Sequence, residues 1–170
     1  MMDSAYFTLL ILTILFLYYL LVVLRTLNPF TEPGLFAAGL ASWLSMGILA
    51  AVFFHWGLFF MDGIHAFVPA VGIIMGLSLS TDALRYYKLT GRQKATAAAF
   101  ASVILANSGI VIYFSDVILP ASIGLLAAAG ICSVYFHMGS HKTLELPEKI
   151  KQSVLFGLLL ALAIYLLMHR

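Results

Sequence analysis

Four ionisable side chains at the ends of apolar runs carry the most chemical promise in this sequence. His55 lies late in one run, and Asp62 follows seven residues later, near the same face of a helix. His65 begins the next run, and Asp116 closes a later one. Two imidazoles and two carboxylates gathered at one membrane surface would bind a cation or relay protons. In the competing interpretation, Asp62, His65 and Asp116 are ordinary interfacial or capping residues of turns. His55 is predicted to lie deepest of the four in the membrane, and it is the best single candidate for a functional residue.

A polar residue deeper in the chain extends this hypothesis and suggests another. A narrow ion path would run past His55, Asn107 and Asp116. Ser108, beside Asn107, falls at the depth predicted for His55, so a serine hydrolase is an alternative, although an oxyanion site is also required. We predict no catalytic residue from these signals.

Histidine pairs raise the question of haem or metal binding. His55 and His65 are the pair at matching depth for a haem iron, but they share a tight hairpin. His137 and His141 are four residues apart, as two ligands on one helix face would be, yet the intervening Gly139 favours a loop. We therefore predict no metal site and no cofactor.

The composition assigns the chain to membrane proteins. Of its 170 residues, 63% are hydrophobic and 9% charged, and the mean hydropathy is +1.06. A soluble domain of this size has too much surface to hide such a composition. The single cysteine, Cys132, excludes an intrachain disulfide, and we interpret it as a packing residue. Nucleic-acid binding is not expected.

Apolar runs separated by short polar linkers predict an all-α bundle of six transmembrane spans in a single domain covering residues 1–170. Each run approaches the roughly 20 residues that a helix needs to cross a bilayer. The predicted spans are residues 5–24, 35–61, 65–85, 95–115, 118–138 and 153–168.

The basic residues predict how the bundle is oriented. Cytoplasmic loops accumulate lysine and arginine, and here all but one basic residue follow the odd-numbered spans. They are Arg25 after the first span, Arg85, Lys88, Arg92 and Lys94 after the third, and Lys142, Lys149 and Lys151 after the fifth. Only Arg170 falls on the other side. Both termini should face outward, and we predict a location in the bacterial cytoplasmic membrane. Asp82, one turn before Arg85, is expected to form a local ion pair with it.

Small residues recur at intervals of four along several predicted spans. In lipid, helices approach closely through such faces, because the hydrophobic effect does not drive one helix against another. The predicted packing faces are Gly72, Gly76 and Ser80; Ala98, Ser102 and Ala106; and Ser153, Gly157 and Ala161. Shorter pairs are Gly47 with Ala51 and Gly124 with Ala128. Such faces pack either the monomer or an oligomer.

These patterns favour a non-enzymatic membrane subunit or sensor that acts through helix–helix assembly. Its expected partners are the lipid bilayer and either copies of itself or other membrane proteins. An oligomeric channel for ions, protons or small solutes is the first alternative, and a haem-binding or hydrolytic protein is the second. No repeat between the two halves suggests inverted-repeat transport.

Overall fold

The computed structural model describes residues 2–57, 64–115, 118–143, 145–151, 154 and 168, with side chains from Leu10 onward except at 64–69. Five long helices follow one another: α1 Met2–Thr26, α2 Pro33–His55, α3 Ile64–Thr90, α4 Gln93–Phe114 and α5 Leu119–Ser140. A short helical segment covers 146–151. The described residues include no β-strand, which confirms the all-α prediction for this part of the chain.

Three of these helices, α2, α4 and α5, are long and apolar enough to cross a membrane. They contain 23, 22 and 22 residues. At a rise of about 1.5 Å per residue such a helix is roughly 33 Å long, close to the hydrocarbon thickness of about 30 Å. Six spans and the outward orientation of both termini stay predictions.

Prolines and glycines set the helix ends. Pro33 and Pro120 lie in the first turns of α2 and α5, where a missing backbone N–H removes no helical hydrogen bond. Gly57 and Gly91 adopt positive φ angles of 69° and 66°, a conformation that stops a helix. Helix α2 ends at His55, two residues before Gly57, and residues 58–61 of the predicted span lie outside the described residues.

Helix α4 lies at the centre of the described bundle. It packs against α2, α3 and α5, while α1 covers α2 and α3. Small and polar side chains on α4 allow this closeness: Ala99 and Ser102 are buried, and the Ser102 hydroxyl donates a 2.8 Å hydrogen bond to the Ala129 carbonyl of α5. The Ser122 hydroxyl of α5 donates in turn to the Gly109 carbonyl of α4, also at 2.8 Å.

Candidate functional site

The predicted outer cluster is described only in part. His55 is the last residue of α2, and its side chain is exposed. The backbone of His65 lies in the first turn of α3. Asp62 and Asp116 lie outside the described residues. The convergence of the four side chains therefore stays a prediction.

Asn107 lies much deeper than His55. Its side chain is buried, and its Nδ2 donates a 3.1 Å hydrogen bond to Ser45 Oγ of α2. The rings of Phe53 and Phe114 pack with centroids 5.0 Å apart, so α2 and α4 run in the same direction. His55 is ten residues beyond Ser45, a rise of about 15 Å. Asn107 and His55 thus occupy separate places in the bundle.

The same geometry bears on the hydrolase alternative. Ser108 follows Asn107, so it lies about 14 Å below the level of His55 along the helix axis. A nucleophile and its base need to approach within about 3 Å. The serine–histidine pair considered from the sequence is therefore not formed.

Tyr19, Ser42, Ser45 and Asn107 form a buried chain of hydrogen bonds, here called the polar belt. The Tyr19 hydroxyl lies 2.8 Å from Ser42 Oγ, which donates to the Gly39 carbonyl at 2.8 Å, so Tyr19 is the donor to Ser42. Ser45 Oγ donates to the Ser42 carbonyl at 2.8 Å and accepts from Asn107. The polar belt connects α1, α2 and α4, and it contains no carboxylate or imidazole.

The Asn107–Ser45 hydrogen bond yields a first prediction. A hydrogen bond between membrane helices contributes on average about 0.6 kcal/mol and at most about 1.7 kcal/mol. We expect a double-mutant cycle of Asn107→Ala with Ser45→Ala to give a coupling near 1 kcal/mol in the free energy of unfolding, measured by denaturant titration in micelles. Ser108→Ala paired with Ser45→Ala is the control and should show no coupling. Equal couplings in the two cycles would assign the effect to packing alone.

Asp82, Arg85, Glu148 and Lys151 form two ion pairs, here called the charge latch. Lys151 Nζ donates to Asp82 Oδ1 at 2.6 Å, and Arg85 pairs with Glu148. The expected local pair between Asp82 and Arg85 is not formed, because each side chain instead reaches the segment 145–151. In each segment the basic residue follows the acidic one by three positions: Arg85 follows Asp82, and Lys151 follows Glu148. Since each acid pairs with the basic residue of the other segment, the two segments run in opposite directions.

The acids of the charge latch are buried, whereas their partners reach solvent. Asp82 and Glu148 are 4% and 8% exposed, while the side chains of Arg85 and Lys151 are 59% and 43% exposed. The second oxygen of Asp82, Oδ2, has no hydrogen-bond partner among the described residues. Burying a carboxylate is costly unless it is paired, so the contact with Lys151 in the segment 145–151 offsets part of the cost of burying Asp82.

His137 and His141 differ from the expectation of a loop. Helix α5 continues through Ser140, and the two rings lie one turn apart with centroids 5.9 Å from each other. No third histidine, cysteine or acid joins them to form a metal-ligand group within the described residues.

The predicted packing faces of α3 and α4 contact neighbouring helices of the same chain. A Cβ added to Gly72 would lie 3.2 Å from Leu49 Cδ2, and one added to Gly76 would lie 2.8 Å from Met46 Sδ. Ser80 and Ser102 are buried, and Ala98 and Ala106 are half-buried. Ser153, Gly157 and Ala161 lie outside the described residues.

Two glycines of α5 are open, as is Gly34 at the start of α2. Among the described residues, a Cβ added to Gly124 or Gly130 would meet nothing within 4 Å, whereas one added to Gly39, Gly47 or Gly109 would meet a neighbouring side chain. The spacing of Gly124 and Ala128 predicts a packing face. Spacing alone does not show whether that face contacts a helix of the same chain or is left exposed.

The described part is thus all-helical, with three helices long and apolar enough to cross a membrane and an apolar interior that includes several buried polar side chains. Comparisons of the chain with protein-family models, with curated proteins and with solved structures found no match.

Proposed function

We propose that this chain is an integral membrane protein of six spans, with both termini on the outer side of the bacterial cytoplasmic membrane. Three helices of spanning length support the membrane location. The orientation rests on the basic residues, which cluster in the three linkers assigned to the cytoplasm.

We further propose that it is a non-enzymatic subunit that acts through helix–helix assembly, with a second copy packing on α5. The observation that carries this proposal is the open space beside Gly124 among the described residues, since small residues let two membrane helices approach closely. The exposed α5 seam continues from it at alternating intervals of three and four residues. It consists of Gly124, Ala127, Ile131, Val134 and Met138.

The spacing of the α5 seam suits a self-association. Alternating intervals of three and four keep one stripe of side chains facing a partner helix at a crossing angle of about 20°. Two copies inserted in the same orientation place their α5 helices parallel, so each residue of the seam lies beside its counterpart, with Gly124 next to Gly124 and Ala127 next to Ala127. Such an arrangement has twofold symmetry and closes as a dimer.

Gly124→Leu tests this assembly. We expect the particle mass in native nanodiscs to fall from that of an oligomer to that of a monomer, because the larger side chain separates the two backbones. The thermal unfolding of the variant should change little, since the position is open within the chain. The readout is mass photometry beside circular dichroism.

Cysteine crosslinking supplies an independent measurement with a matched control. In a Cys132→Ser background, Ala127→Cys on the α5 seam should form disulfide-linked dimers in membranes. Ala51→Cys, an equally exposed alanine on α2, should not. A wild-type protein that is monomeric in nanodiscs, or equal crosslinking at both positions, would overturn the proposal.

The alternative function is a channel, and the polar belt is the observation that favours it. Hydroxyl and amide groups linked across α1, α2 and α4 can border a narrow path for protons or ions. Vesicles containing the protein would then show a proton or ion flux, and Asn107→Leu would abolish it. A lack of flux from an assembled oligomer supports the subunit.

A further inference from the structure

Five exposed basic side chains lie at one end of the bundle and are here called the basic end: Arg25, Lys88, Arg92, Lys94 and Lys142. Contacts between the helices bring them to the same end. Tyr87, beside Lys88, bonds to Glu32 in the linker after α1, and the Tyr86 hydroxyl donates to the Gly139 carbonyl of α5 at 3.2 Å. None of the five forms an ion pair with another described residue.

The acids near this end are mostly engaged in internal contacts. Glu32 accepts a hydrogen bond from Tyr87, while Asp82 and Glu148 belong to the charge latch. Glu145 is the one described acid at this end whose side chain is exposed and outside these pairs. Five free basic groups face one free acid, so this surface is strongly positive.

Exposed apolar side chains lie among these charges. Phe30 is 92% exposed at the tip of the linker between α1 and α2, and Leu89, next to Lys88, is 64% exposed. A hydrogen bond within the linker stabilises its conformation: the Phe30 backbone N–H donates to Asn28 Oδ1 at 2.9 Å. Basic and apolar groups interleaved at helix ends match the boundary between phospholipid headgroups and acyl chains.

We infer that the basic end binds anionic phospholipid headgroups, with Phe30 inserted among the lipids as an apolar anchor. This inference rests on the proposed membrane insertion and adds a lipid preference to it. Each lysine or arginine near an anionic leaflet strengthens binding roughly fivefold, since about 1 kcal/mol per charge is typical. Attraction at a surface is screened within a Debye length, so the preference should weaken as salt is added.

The test uses the full chain in nanodiscs of phosphatidylcholine containing a minor fraction of phosphatidylglycerol. After mild detergent extraction, native mass spectrometry gives the ratio of the two lipids retained. We expect enrichment of phosphatidylglycerol in the wild type and a loss of at least about fivefold in the variant K88Q/R92Q/K94Q. Glu145→Gln should change the ratio in the opposite direction.

The outcomes separate this inference from the proposed function. A chain that fails to enter phosphatidylcholine nanodiscs contradicts the membrane insertion itself. A chain that inserts but retains the same lipid ratio with and without the three substitutions overturns the lipid inference alone. Salt-sensitive pull-down of a soluble acidic protein, with lipid ratios unchanged, would also overturn it by assigning the basic end to a protein partner.

Discussion

Replacing Lys151 with methionine is expected to lower the free energy of unfolding by about 3 kcal/mol. The substitution leaves Asp82, which is 4% exposed, without its 2.6 Å partner, and the other carboxylate oxygen already lacks a hydrogen bond. Breaking a buried ion pair from one side costs about 3–5 kcal/mol. We place the loss at the lower end because the Lys151 side chain is 43% exposed and water screens part of the interaction.

A double-mutant cycle identifies the cause of this loss. In an Asp82→Asn background, Lys151→Met should cost well under 1 kcal/mol, because no buried charge is left unpaired. Lys142→Met, at an exposed lysine with no ion pair to a described residue, is the matched control and should change stability by no more than about 0.5 kcal/mol. Denaturant titration in micelles measures the wild type and the four variants. Equal losses for Lys151→Met and Lys142→Met would mean that the charge latch contributes nothing to stability.

Gly76→Leu is expected to destabilise the bundle by about 3 kcal/mol. The added Cβ alone lies 2.8 Å from Met46 Sδ and 3.1 Å from Val103 Cγ1, so the remaining leucine atoms would push α3 away from α2 and α4. Overpacking a close-packed interior costs about 1–3 kcal/mol. We choose the upper end because two helices must move. Thermal unfolding by circular dichroism measures the change.

Two further substitutions isolate the steric cause. Gly76→Ala should cost much less than Gly76→Leu, because the thioether of Met46 can rotate away from a single methyl group. Gly76→Leu combined with Met46→Ala should recover part of the stability by returning volume to the contact. Gly124→Leu carries the same new side chain at an open position. Since leucine is a better helix former than glycine, a loss at Gly124 as large as the loss at Gly76 would mean that the close contact at Gly76 is not the cause.

The helices follow closely from the sequence, whereas the contacts between them do not. Apolar runs and Pro33 locate α2, because length, hydropathy and helix-start signals are local properties. The apolar run predicts a span that contains His55, whereas α2 ends at His55, two residues before Gly57. A dipeptide such as Trp56-Gly57 is a weak stop signal within an apolar run, since glycine is frequent in transmembrane helices.

The partners of polar residues were the least predictable part. Asp82 was assigned to Arg85 because residues three apart on a helix are neighbours, yet its partner is 69 residues away. Asn107 is expected to line one ion path with His55 and Asp116, although its amide contacts Ser45, 62 residues earlier. Nothing local in a single sequence distinguishes such partners. The repeated acid–base spacing in Asp82/Arg85 and Glu148/Lys151 was a usable signal.

The charge latch also has a consequence for how the chain is made. Synthesis proceeds from the N-terminus, so Asp82 leaves the ribosome 69 residues before Lys151 does. At about 5–20 residues per second, the acid waits several seconds for its partner. During that interval α3 carries an unpaired carboxylate, which favours a position at the membrane surface. The arrival of the segment 145–151 then pairs the Asp82 carboxylate, so the final packing of α3 against this segment is expected late in synthesis.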